Sequence, residues 1–261
     1  MITSSGNTKV KYVQRLQSER RFRQRERAFI VEGTRWVSEL VGLTTTAPTI
    51  LFYTETWVQV PKHASILHQL KGPKQPVTDE VMAVMSDTDT PPGVLAVLPQ
   101  PSHPLPDTPS LLLILDGVST PGNLGTMLRT AAAAGVDAVL LGPGSVDAYN
   151  PKVVRGSMGA LLRLPVHSLD WAEIGAMTAR MDVWAAVVDV GAVAYTAVNW
   201  QPPSALIIGG EAWGITSAGL TLASGHVTIP IAAKTESLNA ATAAAVILFE
   251  ARRQRTAVAI R

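Results

Sequence analysis

The chain contains no cysteine, and aromatic residues make up only 5% of its 261 residues. Without cysteine, disulfides and thiolate metal sites are excluded, and the composition suits a reducing compartment such as the cytoplasm. The five histidines are scattered without the spacing of metal ligands, so no metal site is predicted. The longest apolar run, from Ala240 to Phe249 with one threonine, is too short to span a bilayer. The N-terminus shows no apolar segment typical of a secretory signal, so none is expected.

The motifs of several common enzyme classes are also missing. Gly209 and Gly210 end an apolar stretch, but the G-x-G-x-x-G spacing of dinucleotide-binding folds is absent. There is no P-loop lysine motif, and no G-x-S-x-G elbow for a serine nucleophile. An ordinary nucleotide-binding metabolic enzyme of Rossmann type is therefore disfavoured.

Charge is sparse and unevenly distributed. Charged residues are 16% of the chain and hydrophobic residues 47%, which predicts a folded protein with a sizeable core. Residues 1–35 carry nine Lys and Arg against three Glu, a net charge of +6, whereas the whole chain has only +2. A basic segment on a nearly neutral body favours an anionic partner, although a solvated helical face remains an alternative.

A proline-rich stretch divides the chain. Five prolines in residues 99–110 exclude a helix or an interior strand and predict a semi-rigid linker. The pattern before it indicates a small α/β domain over residues 1–98. After it, over residues 111–261, apolar strands alternate with helices, which predicts a parallel sheet covered on both faces.

Polar and glycine-rich segments follow several of these strands, at 116–125, 142–150, 209–214 and 232–239. Ligands of parallel sheets bind at the carboxyl ends of the strands, so these segments are candidates for a site. Taken singly, their residues have structural explanations as well. Arg129 could form a structural ion pair, Glu211 could cap a turn, and Ser237 and Asn239 are typical helix N-caps.

Three segments together resemble a known family. LDGVSTPGNLGTMLRTAAAAGV from Leu115, LIIGGEAWGI from Leu206 and IPIAAKTESLNAATAAAVILFEARRQR from Ile229 are similar to the three motifs of the SpoU/TrmH-like RNA 2′-O-methyltransferases of the SPOUT superfamily. They occur in the family's order. The segment from Asn150 to Arg155 fits the region between the motifs, and the N-terminal part resembles the family's L30e-like substrate-binding domain.

The resemblance implies a deep trefoil knot in the C-terminal SPOUT domain, a homodimer, and S-adenosylmethionine bound in the knot. It implies an enzyme that methylates a ribose 2′-hydroxyl of RNA, most simply 23S rRNA. By motif match, Asn123, Arg129, Glu211, Ser237 and Asn239 form the reaction site. Gly209, Ile229 and Leu238 contact the cofactor. The basic residues expected to bind RNA are Lys9, Lys11, Arg15, Arg21, Arg23, Arg25 and Arg35.

The sequence departs from the family pattern at three places. Ser119-Thr120 replaces a frequent Gln-Asp, Gly210 replaces a common Asn, and Trp213 stands where an acidic or small residue is frequent. None of these changes removes Arg129, Glu211 or Asn239, so an active enzyme is expected. The alternatives are a tRNA 2′-O-methyltransferase and a non-catalytic RNA-binding protein that keeps the fold.

Overall fold

The described residues form two compact units. The structure, a computed structural model, describes residues 1–42, 47–232 and 236–259. The first unit contains residues 1–101 together with 149–159, and the second contains residues 102–148 and the chain from Ala160 onward.

Residues 149–159 differ from expectation, since the sequence places them in the C-terminal domain. Two contacts explain their position in the first unit. The ring of Tyr149 lies 5.0 Å from that of Phe29, and Arg155 pairs with Asp87 at 3.1 Å. The sequence could not reveal this, because the partners are more than sixty residues away along the chain.

The N-terminal part of the first unit is a four-stranded sheet with helices around it. Its elements are α1 (Thr8–Ser18), α2 (Arg20–Glu26), β1 (Ala28–Glu32), α3 (Thr34–Val41), β2 (Ile50–Thr54), α4 (Glu55–Val58), α5 (Pro61–Gln69), β3 (Lys74–Val77), α6 (Asp79–Met85) and β4 (Val94–Pro99). The strand order among described residues is β1-β4-β2-β3, with β4 antiparallel to both of its neighbours and β3 parallel to β2.

Helix α1 shows how the sequence specifies this unit. Asn7 caps its start by accepting the backbone N–H of Lys9 at 2.9 Å. Val10, Val13 and Leu16, spaced by three residues, are fully buried on one face. The basic residues between them therefore remain at the surface, as the periodicity predicts.

The rest of the chain builds a parallel sheet with its helices, and it also contains one helix of the first unit. Its elements are β5 (Leu111–Asp116), α7 (Pro121–Ala134), β6 (Ala138–Leu141), α8 (Pro151–Ser157, in the first unit), a short 3-10 turn (Ala160–Leu162), β7 (Val166–Ser168), α9 (Trp171–Thr178), β8 (Asp182–Ala186), β9 (Val193–Ala194), β10 (Ser204–Gly209), α10 (Ser217–Leu222), β11 (Gly225–Thr228) and α11 (Ala240–Ala259). The described strands have the order β7-β6-β5-β10-β8-β11-β9, and every pairing is parallel.

The α/β class and the parallel C-terminal sheet are confirmed. Strand β5 is buried along its whole length, and so is β10 up to its final glycine, as expected for strands covered on both faces. The sequence pattern predicts one helix over residues 151–162, but the observed helix α8 is shorter. It ends at Ser157 because Met158 takes a left-handed conformation with φ 48°, which terminates a helix.

Candidate functional site

The second unit has a cavity of about 420 Å³ at one edge of its sheet. Its walls come from the last residues of β8, β10 and β11, from the residues that follow them and from the start of α11, at 186–188, 208–211, 227–229 and 237–240. Parallel strands bring their carboxyl ends to the same edge, so segments distant in the sequence meet there. The predicted segments 209–214 and 232–239 both contribute, although residues 233–235 lie outside the described part of the chain.

A tight glycine loop forms one wall of this cavity. Gly210 and Gly214 exchange backbone hydrogen bonds of 3.1 and 3.0 Å, and Gly210 N–H also donates to the carbonyl of Asp116 at 2.7 Å. A Cβ on Gly210 would lie 2.4 Å from the carbonyl oxygen of Gly117, and one on Gly209 would lie 2.2 Å from the carbonyl carbon of Gly214. Only glycine fits at these two positions, so the backbone itself forms the wall.

Three polar side chains from separate segments form a hydrogen-bonded network beside the cavity, which we call the amide–carboxylate network: Asn123, Glu211 and Asn239. Asn123 donates its Nδ2 to Glu211 Oε1 at 2.6 Å and accepts from Asn239 Nδ2 at 3.1 Å. Ser119 donates weakly to Glu211 Oε2 through its backbone N and its hydroxyl, at 3.3 and 3.4 Å. The network joins all three motif segments.

Asn239 has two functions at once. Its Oδ1 accepts the backbone N–H groups of Ala241 and Thr242 at 2.9 and 3.3 Å, which caps the start of α11. Its Nδ2 meanwhile donates to Asn123. Asn239 is therefore a helix cap and a member of the amide–carboxylate network at the same time, because the two ends of one amide serve different partners.

The environment of Glu211 keeps it ionised. Partial burial raises the pKa of Glu211. Hydrogen bonds from Asn123, from its own backbone, from Thr120 and from Ser119 lower the pKa by a larger amount, so it lies below the ordinary value. Because the pKa is lowered on folding, these bonds stabilise the protein at neutral pH. That contribution is lost as the pH falls through the lowered pKa.

The remaining predicted residues divide into two groups. Gly209, Ile229, Ser237 and Leu238 all line the cavity. Arg129 is different: it is exposed on α7 and makes no hydrogen bond or ion pair to the described residues. It lies six residues beyond Asn123, about 9 Å along the helix axis and on another face. The structure therefore does not bring Arg129 into the network of its own chain.

The basic residues of the first unit do not all remain available to a partner. Arg23 is among the residues expected to bind RNA, but the structure buries its side chain. It is only 3% exposed, and it donates to the carbonyls of Leu16 and Gln17 at 2.7 and 3.0 Å. Arg23 thus supplies hydrogen-bond donors to carbonyl groups in the last turn of α1. A charge pattern cannot distinguish such a buried arginine from its exposed neighbours.

The other basic candidates are at the surface. Arg15 and Arg25 pair with neighbouring glutamates and lie over the ring of Phe22, with distances of 3.9 and 4.8 Å to its centroid. Lys9 donates to Gln75 Oε1 at 3.1 Å. Three exposed cations have no hydrogen-bonding or ionic partner among the described residues: Lys11, Arg21 and Arg35.

Sequence reasoning missed Asp116. It is 1% exposed at the end of β5, and its Oδ2 accepts the backbone N–H of Thr216 at 2.6 Å. Its carbonyl also anchors the glycine loop through Gly210. Asp116 at the end of β5 thus accepts hydrogen bonds from Gly210 and Thr216, on either side of the segment that carries Glu211. The signal in the sequence is an aspartate placed directly after a continuous apolar strand.

Among the described residues, no group of three or more His, Asp or Glu is arranged to hold a metal ion. In the same part of the chain, no helix has the length and apolarity needed to cross a membrane.

Two family models match the sequence. The model of the SpoU rRNA Methylase family matches residues 110–249, and the model of the MRM3-like substrate binding domain matches residues 7–96. The first contains the cavity and the amide–carboxylate network, and the second contains all seven basic candidates.

Similar proteins cover nearly the whole chain. The 23S rRNA (guanosine(2553)-2′-O)-methyltransferase RlmP of Bacillus subtilis is 32% identical over 96% of this chain and 98% of its own length. The 23S rRNA (uridine(2479)-2′-O)-methyltransferase of Streptomyces viridochromogenes is 31% identical, over 97% and 92%. A crystal structure of an AdoMet-bound rRNA methyltransferase from Sinorhizobium meliloti is 29% identical, with a TM-score of 0.83 over 97% of both chains.

Proposed function

Because the chain belongs to the SpoU rRNA Methylase family, we propose that it transfers a methyl group from S-adenosylmethionine to a ribose 2′-hydroxyl of 23S rRNA. The observation that carries this proposal is the amide–carboxylate network, in which Asn123, Glu211 and Asn239 meet beside a cavity. The names of two similar enzymes give a guanosine as the target nucleotide of one and a uridine as that of the other. The ribose is common to both nucleotides, so we place the ribose, rather than a base edge, at the network.

The cavity has the properties that a cofactor of this kind needs. Its volume of about 420 Å³ lies in the range of small-molecule sites. The backbone of Gly209 and Gly210 approaches closely on one side, and apolar residues such as Ile229 and Leu238 line another. S-adenosylmethionine supplies an electrophilic methyl group on its sulfonium. The backbone of Gly209, Ile229 and Leu238 would hold the cofactor.

The chain's own contribution is mainly alignment. A hydroxyl is a weak nucleophile, so holding it in line with the methyl group supplies much of the acceleration. Asn123 and Glu211 orient the ribose, while Ser237 and Asn239 border the cavity at the same place. As the new C–O bond forms, the hydroxyl becomes strongly acidic. Glu211 can therefore accept its proton even with a lowered pKa.

Arg129 holds the phosphate next to the target ribose in this proposal. A guanidinium is normally protonated and can only donate, which makes it a poor base and a good bidentate partner of phosphate. Its exposure and its freedom from partners in the described chain leave all of its donors available.

We also propose a homodimer in which each site combines residues of both chains. The position of Arg129, away from the network of its own chain, supports this arrangement, because a second chain could receive it. The trefoil knot and the cytoplasmic location remain predictions from the family resemblance and, for the location, from the absence of cysteine.

The proposed activity is tested by methyl transfer to defined RNA. Purified protein with labelled S-adenosylmethionine should methylate 23S rRNA from cells that lack the gene, and ribose-methylation mapping should show one changed nucleotide. Labelling of tRNA instead would assign the tRNA alternative. Binding of rRNA without any transfer, and without cofactor binding, would favour the non-catalytic alternative.

The first unit is expected to supply much of the RNA affinity. A truncated protein that begins near Ser110 is a poor test, because residues 149–159 would no longer pack against Phe29 and Asp87. Replacing Lys11, Arg21 and Arg35 by Gln in the full chain removes three exposed cations without breaking a hydrogen bond to a described residue. We expect weaker rRNA binding, and a salt dependence whose slope falls by about one for each phosphate that is no longer neutralised.

Cofactor affinity measured by calorimetry is the control for this triple variant, since the cavity lies in the second unit. A matched Arg180→Gln variant removes an exposed cation of the second unit and should bind rRNA normally. If the triple variant bound rRNA with unchanged affinity and slope, the assignment of RNA binding to these residues would be wrong.

Variants of Asn239 separate capping from the site. Asn239→Ser keeps a good N-cap, so its free energy of unfolding should change by only a few tenths of a kcal/mol; Asn239→Ala loses the cap and about 1 kcal/mol. Both remove the amide donor to Asn123, so both should transfer methyl groups more slowly. The measurements are denaturant unfolding and single-turnover transfer. Wild-type rates in Asn239→Ser would leave Asn239 with a capping role alone.

A further inference from the structure

Trp213 is an aromatic side chain in an unusual position. Its side chain is 93% exposed, whereas Trp36, Trp57 and Trp200 are at most 5% exposed. The solvent exposure of a large indole is unfavourable, and exposed aromatic residues on a loop often mark a contact with a partner. Trp213 forms no hydrogen bond and no ring contact with the described residues.

The loop that carries Trp213 is firmly held. Residues 211–213 form its tip, and the backbone bonds between Gly210 and Gly214 close its base. Gly210 is in turn bonded to Asp116, with no room for a side chain of its own. The Cα of Trp213 therefore has a defined position relative to Glu211, two residues earlier and at most about 7 Å away.

Trp213 lies outside the cofactor cavity. Glu211 and Gly214, on either side of it, both line the cavity, whereas Trp213 does not. The exposed indole is therefore available to a ligand that approaches the loop from solvent, whereas it does not line the space in which a cofactor would be enclosed.

We propose that Trp213 stacks on the nucleobase of the nucleotide whose ribose is methylated. This inference rests on the proposed function, because it takes the ribose to be held by Asn123 and Glu211. The base is joined directly to that ribose, and the indole is the apolar surface that the loop presents next to Glu211. Proteins recognise unpaired RNA bases by stacking them on aromatic side chains.

Stacking requires a flat apolar face and reads no hydrogen-bonding edge. Trp213 would therefore fix the rotation of the nucleotide, and with it the direction of the 2′-hydroxyl, without selecting a particular base. It acts as a substrate-positioning residue, and its loss should affect RNA use without affecting cofactor binding.

The test compares Trp213→Ala and Trp213→Phe in the full chain, with Leu220→Ala as a control for the loss of an exposed apolar side chain. Using 23S rRNA from cells lacking the gene, we expect kcat/KM for RNA to fall about tenfold in Trp213→Ala, as for the loss of one stacked base. Trp213→Phe should recover most of the loss. Cofactor affinity and the sedimentation coefficient should not change in any variant.

Two results would overturn the proposal. One is wild-type kcat/KM in Trp213→Ala. The other is dissociation of Trp213→Ala into a smaller species by sedimentation, which would mean that the indole packs against a second copy of the chain.

A fluorescence measurement keeps the inference independent of turnover. Adding 23S rRNA should quench the exposed indole in the wild type, and this change should be absent in Trp213→Phe. If the wild type transferred no methyl group to any RNA, the proposed function would fail, and the fluorescence would still report whether Trp213 contacts RNA. Equal fluorescence changes in both proteins would refute the contact.

Discussion

Replacing Arg129 by lysine should slow methyl transfer by about a hundredfold or more, the size of loss seen when a reacting pair is misplaced. Lysine keeps the positive charge and is an equally good helix former, so α7 should remain stable. It cannot reproduce the planar fork that grips a phosphate through two parallel hydrogen bonds. Arg129 makes no bond to the described residues that the substitution could break.

Single-turnover transfer of labelled methyl groups to 23S rRNA measures the effect. Cofactor affinity by calorimetry and the unfolding midpoint should both match the wild type. Arg180→Lys, an exposed arginine remote from the motif segments in the sequence, is the control and should transfer at the normal rate. A wild-type rate in Arg129→Lys would show that Arg129 does not position the nucleotide.

Mixed dimers locate the site at which Arg129 acts. If it serves the partner's cavity, a heterodimer of Arg129→Ala and Asn239→Ala chains contains one intact site and one doubly defective site. Random mixing makes half of the dimers heterodimers, each with one intact site of two, so the mixture of the two slow variants should gain about a quarter of the wild-type activity in a two-fold symmetric dimer. No recovery in verified heterodimers would place Arg129 in the site of its own chain, and a fully active monomer would exclude the dimer proposal.

Gly209→Ala should have the largest effect on cofactor binding. The new Cβ would lie 2.2 Å from the carbonyl carbon of Gly214 and 2.4 Å from the N of Ile215. Both are backbone atoms, so no side-chain rotation can relieve the clash and the loop must move. We expect the free energy of unfolding to fall by about 1–3 kcal/mol, and the affinity for S-adenosylmethionine to fall by about tenfold or more, as for a loss of about 1.4 kcal/mol in binding.

Gly122→Ala is the matched control. Gly122 is an exposed glycine of α7, and a Cβ placed on it would have no neighbouring atom within 4 Å, so alanine should be neutral or stabilising there. Unfolding in denaturant and calorimetry measure both variants. If Gly209→Ala bound the cofactor with normal affinity, the glycine loop would not be part of the cofactor site.

Local patterns were sufficient for most elements of the fold. The spacing of Val10, Val13 and Leu16 by three residues is enough to predict a helix at α1, and the continuous apolar run at 111–115 is enough to predict β5 as an interior strand. Less regular segments were missed. Helix α5 begins at Pro61 with an irregular apolar pattern, and β3 contains Pro76, so neither had a clear periodic signal.

For the site, the three motif segments could be recognised from the sequence, but their contacts could not. Asn123, Glu211 and Asn239 are each compatible with an ordinary cap or surface position when read alone. Only the parallel sheet, which brings the carboxyl ends of its strands to one edge, places them within hydrogen-bonding distance.

By itself, the sequence determined the family, the α/β class and the basic N-terminal segment, because these depend on residue type and on spacing along the chain. Tertiary structure decided which residues are free to act. Arg23 is buried under the end of α1, residues 149–159 pack with the first unit, and Arg129 stands apart from its own chain's network. The physical reason is that burial and partner choice depend on atoms distant in the sequence, which neither composition nor periodicity records.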